Sequence, residues 1–450
     1  MTTQEESIIL KEPHKRRKWL WLVASPFLFF LLLILFLYLP PVQRFAVDKA
    51  SAIASESMGL DISVGRLDLR FPLDLLVRDV KAVEPTTRDT LLSLERLKVE
   101  LRFWKLLKKE VEIEEISIRN ATFDTRDFID GVVVSGHLGE LFLESHGVVF
   151  SPETARINEF SVKNTDVSLT LGSIESTDTV PSEPLYWKIL LDEIDFENVG
   201  FALKMPQDSL FVRTMLPKTT LKNGVIDLKE ASYYVKSFGI DNAELAYGPK
   251  EELFLQQIGL QLDSIYYCGK DIRANIEEFV LKERSGLELV STEGRIVSDS
   301  VLIEIPKFTM KTTASSLNLE ARAGWDVLEL KRTGVLGLRM SVEMGQSDVL
   351  KAAGGMIPDL ESVYPSHPLL LNVGAEGNLS RIRLMTLKAA LDGAFQMDAE
   401  GELRNLTDAT RMGGEINLLA ESHNMEFLKL LTDGNVAVPE GTSLEGKFTL

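Results

Sequence analysis

Two histidines near two glutamates are the residues of this sequence whose types come nearest to catalytic or metal-binding chemistry. His137 and His146 lie beside Glu140 and Glu144. Their spacing does not match a zinc-binding helix, which places two histidines four residues apart on one face. The alternating Val and Leu residues around them indicate a strand, so we interpret both as surface histidines.

Other chemical motifs are incomplete. Asp127 and Asp130-Gly131 resemble part of a calcium loop without its terminal Glu, and a plain turn is the simpler interpretation. The sequence contains no Gly-rich phosphate loop, no nucleophile elbow and no cysteine with a partner base. The single Cys268 cannot form an internal disulfide. The sequence therefore predicts no enzyme, no metal site and no cofactor.

The net charge of −18 makes nucleic acid an improbable partner.

An uncharged apolar run of 21 residues extends from Trp19 to Leu39 and ends at Pro40-Pro41. This length spans a hydrocarbon core of about 30 Å, and it exceeds the apolar region of a cleavable signal peptide. No small-residue cleavage site follows it. The run therefore predicts a membrane anchor, with Trp19, Trp21 and Tyr38 at its interfaces.

The charges beside this run predict its orientation. The basic residues Lys15, Arg16, Arg17 and Lys18 precede it, and only Arg44 and Lys49 follow it closely. Because positive residues stay on the cytoplasmic side, residues 1–18 form a short cytoplasmic tail and the chain from Pro40 onward lies across the membrane.

A juxtamembrane amphipathic helix is expected over residues 40–59, with Gly59 as its C-cap. The residues predicted to share its apolar face are Val42, Phe45, Ala46, Ala50 and Ile53.

From Leu60 the apolar residues alternate with polar ones, which indicates half-buried strands. A repeat then recurs in four copies, with apolar residues at offsets 0, 3, 5 and 10 and an Asn at offset 7. The copies are Ile113, Ile116, Ile118, Asn120 and Phe123; Ile157, Phe160, Val162, Asn164 and Val167; Leu191, Ile194, Phe196, Asn198 and Phe201; and Val235, Phe238, Ile240, Asn242 and Leu245.

The alternation of apolar and polar residues shifts by one position twice in each copy, between offsets 0 and 3 and again after the Asn. We call each shift a parity slip. A slip of one residue sends side chains to the opposite face unless the chain bulges or turns there. Asn tolerates the left-handed conformation that such a turn requires, so Asn120, Asn164, Asn198 and Asn242 are predicted to serve turns of the repeat. The Asn residues are 44, 34 and 44 residues apart.

A second motif, Glu-Gly-x-apolar, places a Gly inside a strand pattern, which usually marks a bulge or a close backbone approach. It occurs at Glu293-Gly294, Glu376-Gly377, Glu400-Gly401 and Glu445-Gly446. Short helices are expected near residues 347–357 and 424–431. We divide the strand-rich part into repeats over residues 60–343 and a continuation with short helices over 344–450.

The N-terminal anchor, the following helix and the segments VGRLDLRFPLDLLVRDV, LLSLERLKVELRF and VEIEEISIRNATFD resemble the start of AsmA-like proteins. The later segments AEGNLSRIRL and AEGELRNL are similar to repeats of the TamB branch of that family. The resemblance implies an inner-membrane protein of Gram-negative bacteria whose elongated, groove-shaped antiparallel β-structure lies in the periplasm and moves phospholipid toward the outer membrane. TamB-like chains end in a characteristic domain that is absent from this sequence, so contact with an outer-membrane barrel cannot be assigned to these residues.

The expected fold is therefore mostly β, with an N-terminal transmembrane helix, an elongated groove and a few short helices. About 30 strands at about 4.8 Å would give a trough on the order of 150 Å long. Phospholipid acyl chains are the predicted ligands, because a long exposed apolar surface needs a partner. The residues predicted to line the groove are Ile116, Ile118, Phe123, Phe160, Val162, Val167, Ile194, Phe196, Phe201, Phe238, Ile240 and Leu245.

Two alternatives remain open from the sequence. The chain could assemble outer-membrane proteins by pairing with exposed sheet edges. It could also be an inert β-solenoid spacer, in which side chains from both walls would fill the interior.

Overall fold

The computed structural model describes residues 38–449 except 71–73, 107–111, 127–130, 151–152, 173–185, 331–333, 354–356, 409 and 433–437. The predicted anchor lies outside the described residues apart from Tyr38 and Leu39, and the basic residues 15–18 lie outside them entirely. Within the described part, none of the helices combines the length and apolar character needed to cross a membrane.

In the described part of the chain, twenty strands form one sheet. Each strand pairs with the strand that precedes it and the strand that follows it in the chain. In order the strands are β1 Asp61–Arg70, β2 Asp74–Val83, β3 Thr90–Leu101, β4 Ile113–Asp124, β5 Val132–Phe150, β6 Glu153–Leu171, β7 Lys188–Met205, β8 Leu210–Asp227, β9 Ser232–Tyr247, β10 Leu253–Cys268, β11 Asp271–Glu283, β12 Glu288–Ser298, β13 Leu302–Thr312, β14 Ser316–Gly324, β15 Leu336–Met344, β16 Leu369–Asn378, β17 Arg381–Leu391, β18 Phe395–Arg404, β19 Gly413–Ser422 and β20 Ser443–Thr449.

One pairing differs from the expected antiparallel arrangement. β6 and β7 run parallel, whereas every other pairing between the described strands is antiparallel. A parallel neighbour needs a crossover of a dozen or more residues, and residues 172–187 make this connection. The parallel pair explains the unequal spacing of the asparagines. One antiparallel strand lies between the strands of Asn120 and Asn164, and another lies between those of Asn198 and Asn242. Asn164 and Asn198 instead lie on adjacent parallel strands.

The sheet has fewer and longer strands than expected. β5 and β6 contain 19 residues each, several times a typical strand of about 5–6 residues. Twenty strands at about 4.8 Å span roughly 90 Å rather than 150 Å.

Helix α1, Pro40–Met58, lies where the juxtamembrane helix was predicted, and Gly59 caps it in the left-handed conformation (φ 67°). The apolar face that was predicted is exposed at two of its positions. Phe45 and Ile53 are 64% and 66% exposed, and Val47 is the buried residue. The helix packs on β1, so contact with the strand outweighs the weak apolar stripe.

Helix α1 also supplies side chains to the backbone of the first strand. The Gln43 amide donates to the Leu69 carbonyl at 3.1 Å, and the Ile62 N–H donates to the Ser55 hydroxyl at 2.9 Å. The helix therefore covers the free edge of β1, a position at which unpaired strands tend to aggregate.

Five shorter helices follow: α2 Phe103–Leu106, α3 Trp325–Leu328, α4 Gln346–Ala353, α5 Leu360–Val363 and α6 Glu426–Leu431, with one 3₁₀ turn at Pro206–Asp208. Helices α4, α5 and α6 pack against the ends of β16, β17 and β18 in a compact core. Its fully enclosed members are Leu360, Tyr364, Leu391, Ala394 and Phe427. We call this group the rim core.

Candidate functional site

The register places the twelve predicted groove residues in three rows that cross the strands. Members of a row are joined by direct pairings, either with each other or through one residue of the intervening strand. The first row holds Ile116, Phe160, Ile194 and Phe238; the second Ile118, Val162, Phe196 and Ile240; and the third Phe123, Val167, Phe201 and Leu245. The spacing in the sequence thus corresponds to neighbourhood in the sheet.

The first row continues across the whole sheet. Direct pairings join one residue from each of the twenty strands, and every member is apolar or glycine. The members are Leu69, Leu75, Val99, Ile116, Leu143, Phe160, Ile194, Leu221, Phe238, Leu262, Ile276, Gly294, Phe308, Leu319, Met340, Val373, Leu387, Ala399, Leu418 and Gly446. We call this set the apolar ladder.

The apolar ladder is partly open to solvent. Ala399, at 4% exposure, is its one buried member, and the other members are half-buried. Among the described residues, the strands in extensive contact are all neighbours along the chain. Because alternate residues point to opposite faces, the members share one face of the sheet.

At Phe160 and Phe196 the rings contact edge to face across β6 and β7, with centroids 6.1 Å apart. Side chains on this face therefore contact neighbours within the same sheet.

The four repeat asparagines all have positive φ, between 50° and 55°. They lie inside continuous strands rather than at turns between strands. The pairs on either side of each Asn stay in register while the Asn itself is skipped. With Asp79, which has φ 54°, these asparagines mark a line across β2 to β9 that we call the asparagine line.

A left-handed residue inside a strand bends it and changes the alternation of its side chains. The apolar parity changes at the same position in the intervening strands, for example between Leu138 and Leu141 on either side of Gly139. A second line of skipped pairs crosses Asn158, Asp192 and Asn223. These two lines coincide with the two parity slips, so we infer that each strand keeps its apolar residues on one face.

The opposite face is charged. Between β5 and β9 one row of directly paired residues alternates in sign, in the order Glu140, Lys163, Glu197, Lys218 and Asp241. Ion pairs on this face include Lys163 with Glu197 at 3.1 Å and Lys222 with Glu193 at 3.1 Å. The hydrogen bond from the Lys163 ammonium to Glu197 raises the pKa of that lysine. Exposed pairs of this kind add little stability, but they keep this face hydrated.

Acidic residues form one row of this face near the first strands. Asp74 pairs with Glu100, which pairs with Glu115. Burial and the neighbouring Glu100 raise the pKa of Asp74. Lys98 lies between the acidic side chains, 3.0 Å from Glu115, and its ion pairs raise its pKa despite burial.

Asp348, in helix α4, is a buried carboxylate beside the rim core. Its carboxylate accepts hydrogen bonds from the hydroxyl groups of Ser315, at 2.6 Å, and Thr312. Thr312 ends β13, and Ser315 lies in the turn that leads to β14. Burial would raise the pKa of this carboxyl group, but the hydrogen bonds outweigh burial and hold the pKa below its usual value. The residue fixes helix α4 to the sheet.

The glycines of the Glu-Gly motif have different roles. Gly377 and Gly401 have φ of 146° and 159°, and a Cβ at either position would collide with the carbonyl oxygen of Arg381 or Glu415 on the adjacent strand. This is the close backbone approach predicted for the motif. Gly294 and Gly446 instead belong to the apolar ladder, where Phe308 and Phe448 lie over them.

The described residues contain no group of three His, Cys, Asp or Glu side chains that could hold a metal ion. His146 contacts the Asn158 amide oxygen at 2.6 Å and lies 3.8 Å from Glu144. Asp127 and Asp130 fall outside the described residues.

Sequence reasoning missed the ladder members on the intervening strands, such as Leu143 and Leu221. These strands keep only part of the pattern, since the partners of the repeat positions on β8 are Gly224, Leu221, Thr219 and Thr214. It also missed a row of arginines on the charged face, which becomes visible only when the register is known.

Comparison of the chain with family models, curated proteins and solved structures finds no match. The resemblance to AsmA-like proteins therefore stays a prediction.

Proposed function

We propose that this chain holds phospholipid acyl chains along its apolar face and carries them across an aqueous compartment. The observation that carries the proposal is the apolar ladder, which crosses twenty strands without a polar side chain and whose members, apart from Ala399, are half-buried. Soluble proteins seldom leave a continuous apolar surface of this extent without a partner.

The energetics favour an acyl chain as that partner. An acyl chain of 16 carbons costs on the order of 13 kcal/mol to place in water, at about 0.8 kcal/mol per CH₂. A surface roughly 90 Å long removes most of this cost at every point along its length. The charged opposite face keeps the rest of the sheet in water, which a carrier between two membranes requires.

The spacer alternative predicts packed walls. An inert solenoid buries its inner face, whereas the ladder residues other than Ala399 are half-buried. These observations argue for a ligand rather than for a closed interior. Assembly of outer-membrane proteins through sheet edges has no observation in its favour beyond the family resemblance.

The cellular location that we propose rests on the predicted membrane anchor. We propose a single-pass protein of the inner membrane, with residues 1–18 in the cytoplasm and the sheet in the periplasm, in support of outer-membrane biogenesis. The exposed Phe45 and Ile53 of α1 fit a position at the membrane surface. Sequencing the N-terminus of the mature protein tests the anchor, and a terminus after Leu39 would contradict it.

Photocrosslinking tests the proposed ligand. A photoreactive amino acid at Phe160, Phe196 or Ile240 should capture phospholipid in cells. Asp195 is the matched control, because it lies between Ile194 and Phe196 on the charged face of the same strand. Capture at the apolar positions but not at Asp195 supports the proposal; no capture at any apolar position, or equal capture at Asp195, rejects it.

A further inference from the structure

Four arginines occupy directly paired positions on the first four strands. Arg66 pairs with Arg78, Arg78 with Arg96, and Arg96 with Arg119. They lie on the charged face, because Leu67, Val77 and their equivalents point the other way. We call these four residues the arginine row. It is unexpected in a chain of net charge −18.

Like charges at directly paired positions destabilise a sheet. The outer members have partners: Arg66 contacts Asp68 at 2.7 Å and Arg119 contacts Glu140 at 3.2 Å. The half-buried Arg78 and Arg96 have neither an ion pair nor a hydrogen bond to any described residue, and the Nε atom of each is buried without a hydrogen-bond partner. Two adjacent guanidinium groups therefore lack a counter-charge.

A cleft of about 600 Å³ lies over these residues. Arg78, Arg96 and Arg119 line it, together with Arg70, Lys98 and Lys163. The acidic lining residues are Asp74, Glu115, Glu140 and Glu159, so six basic groups exceed four acidic groups by two charges. Ser117 and Ser161 are small side chains among the longer ones and leave room in the cleft.

We propose that this cleft binds a phosphate or phosphodiester group, with Arg78 and Arg96 as its main ligands. Planar guanidinium groups match the oxygen geometry of phosphate and bind it through paired hydrogen bonds. A bound phosphate would also remove the repulsion within the arginine row. The inference does not rest on the proposed function, because the cleft and the apolar ladder lie on opposite faces.

The phosphate could belong to a lipid headgroup or to a soluble compound. The start of helix α1 contacts β1 at Leu69, through Gln43. Arg66 is three residues from this contact, about 10 Å along the strand. Since α1 directly follows the predicted membrane segment, a headgroup could reach the cleft from the membrane surface.

Thermal melts of the full chain in non-ionic detergent test the site. Inorganic phosphate should raise the melting temperature of the wild type by about 2 to 4 °C over sodium chloride at equal ionic strength. The double variant R78Q/R96Q should lose this shift, with an affinity for phosphate about tenfold lower. The matched control is R213Q/R284Q, which removes two arginines that share Glu251 and should keep the shift.

A second set of melts identifies the source of the phosphate. Micelles containing phosphatidylglycerol should protect the wild type more than micelles with phosphatidylcholine, and R78Q/R96Q should lose this difference if a headgroup is the ligand. If only inorganic phosphate distinguishes the two proteins, the ligand is a soluble phosphorylated compound. Both results support the site.

Equal shifts in the wild type and R78Q/R96Q under all conditions, or no shift in either, would overturn the proposal. If R78Q/R96Q does not fold, R78K/R96K retains the charge but not the paired hydrogen bonds. It should show a smaller phosphate shift than the wild type. An undiminished shift in R78K/R96K would then reject guanidinium recognition.

Discussion

The asparagine line depends on single residues that adopt the left-handed conformation inside strands. Asn accepts this conformation more readily than other non-glycine residues, and glycine accepts it without strain. Asn164 and Asn198 also share a hydrogen bond, in which the Asn198 amide donates to the Asn164 oxygen at 3.2 Å. The asparagines thus have a conformational role, and none of the contacts requires them to bind a ligand.

Substitution of these asparagines separates conformation from side-chain chemistry. We expect Asn164→Gly and Asn198→Gly to change the free energy of unfolding by less than about 1 kcal/mol, whereas Asn→Val should cost about 1–2 kcal/mol or more at each position. Thermal or denaturant melts measure both. Ser168→Val, in an extended part of β6, is the control that should tolerate a β-branched residue. Equal losses for Gly and Val would refute the conformational role.

The lowered pKa of Asp348 predicts that the region around helix α4 is less stable in acid. Because its pKa is lowered in the folded state, its contribution to stability is complete above the unfolded pKa of about 3.9 and is lost as the pH falls through the folded value. Asp348→Asn should therefore unfold more easily than the wild type at pH 7, by about 1–3 kcal/mol. The difference should shrink below about pH 4. Denaturant melts at several pH values measure it, and a difference that does not change with pH would contradict this account.

At the scale of the elements, close backbone contact holds β16 to β17 and β18 to β19. Gly377→Ala and Gly401→Ala should each destabilise this part of the sheet by about 1–3 kcal/mol, because the added Cβ meets a carbonyl oxygen and the positive φ is strained. Gly446→Ala is the control from the same motif, since the nearest atom to its Cβ would be 3.7 Å away. Hydrogen exchange of strands β16–β20 should show faster opening for the first two variants only.

The two faces of the sheet are an element-scale consequence of register. A strand shifted by one residue would bring its charged side chains into the apolar ladder, so every pairing is constrained by both faces at once. The bends at the asparagine line and at the second line preserve this arrangement along strands of up to 19 residues.

At the scale of the whole molecule, the open ladder and the rim core should respond differently to a buried charge. Phe196→Glu places a carboxylate on a half-buried surface, where it can reach water, so we expect a loss of about 1–2 kcal/mol and a folded protein. Leu391→Glu is the matched control, because Leu391 is 1% exposed in the rim core. It should cost several kcal/mol and unfold that region. Unfolding of Phe196→Glu to the same extent would favour a closed interior.

The sequence by itself determined the mostly β fold, the helix over residues 40–59 with its Gly59 cap, and the residues of the three apolar rows. These features follow from local periodicity, because alternation defines which residues share a face whether or not the partner strand is known. The left-handed Asn residues could be predicted for the same reason, since the parity slip is visible along a single strand.

The tertiary structure decided which strands are neighbours and in which direction they run. The parallel pair β6–β7, the continuity of the apolar ladder through twenty strands and the arginine row all depend on pairings between residues that are far apart in sequence. The exposed side of α1 was also decided there, because its apolar stripe was weak and contact with the edge of β1 outweighed it. A single strand contains only half of each pairing, so its sequence cannot show which charges will face one another across the sheet.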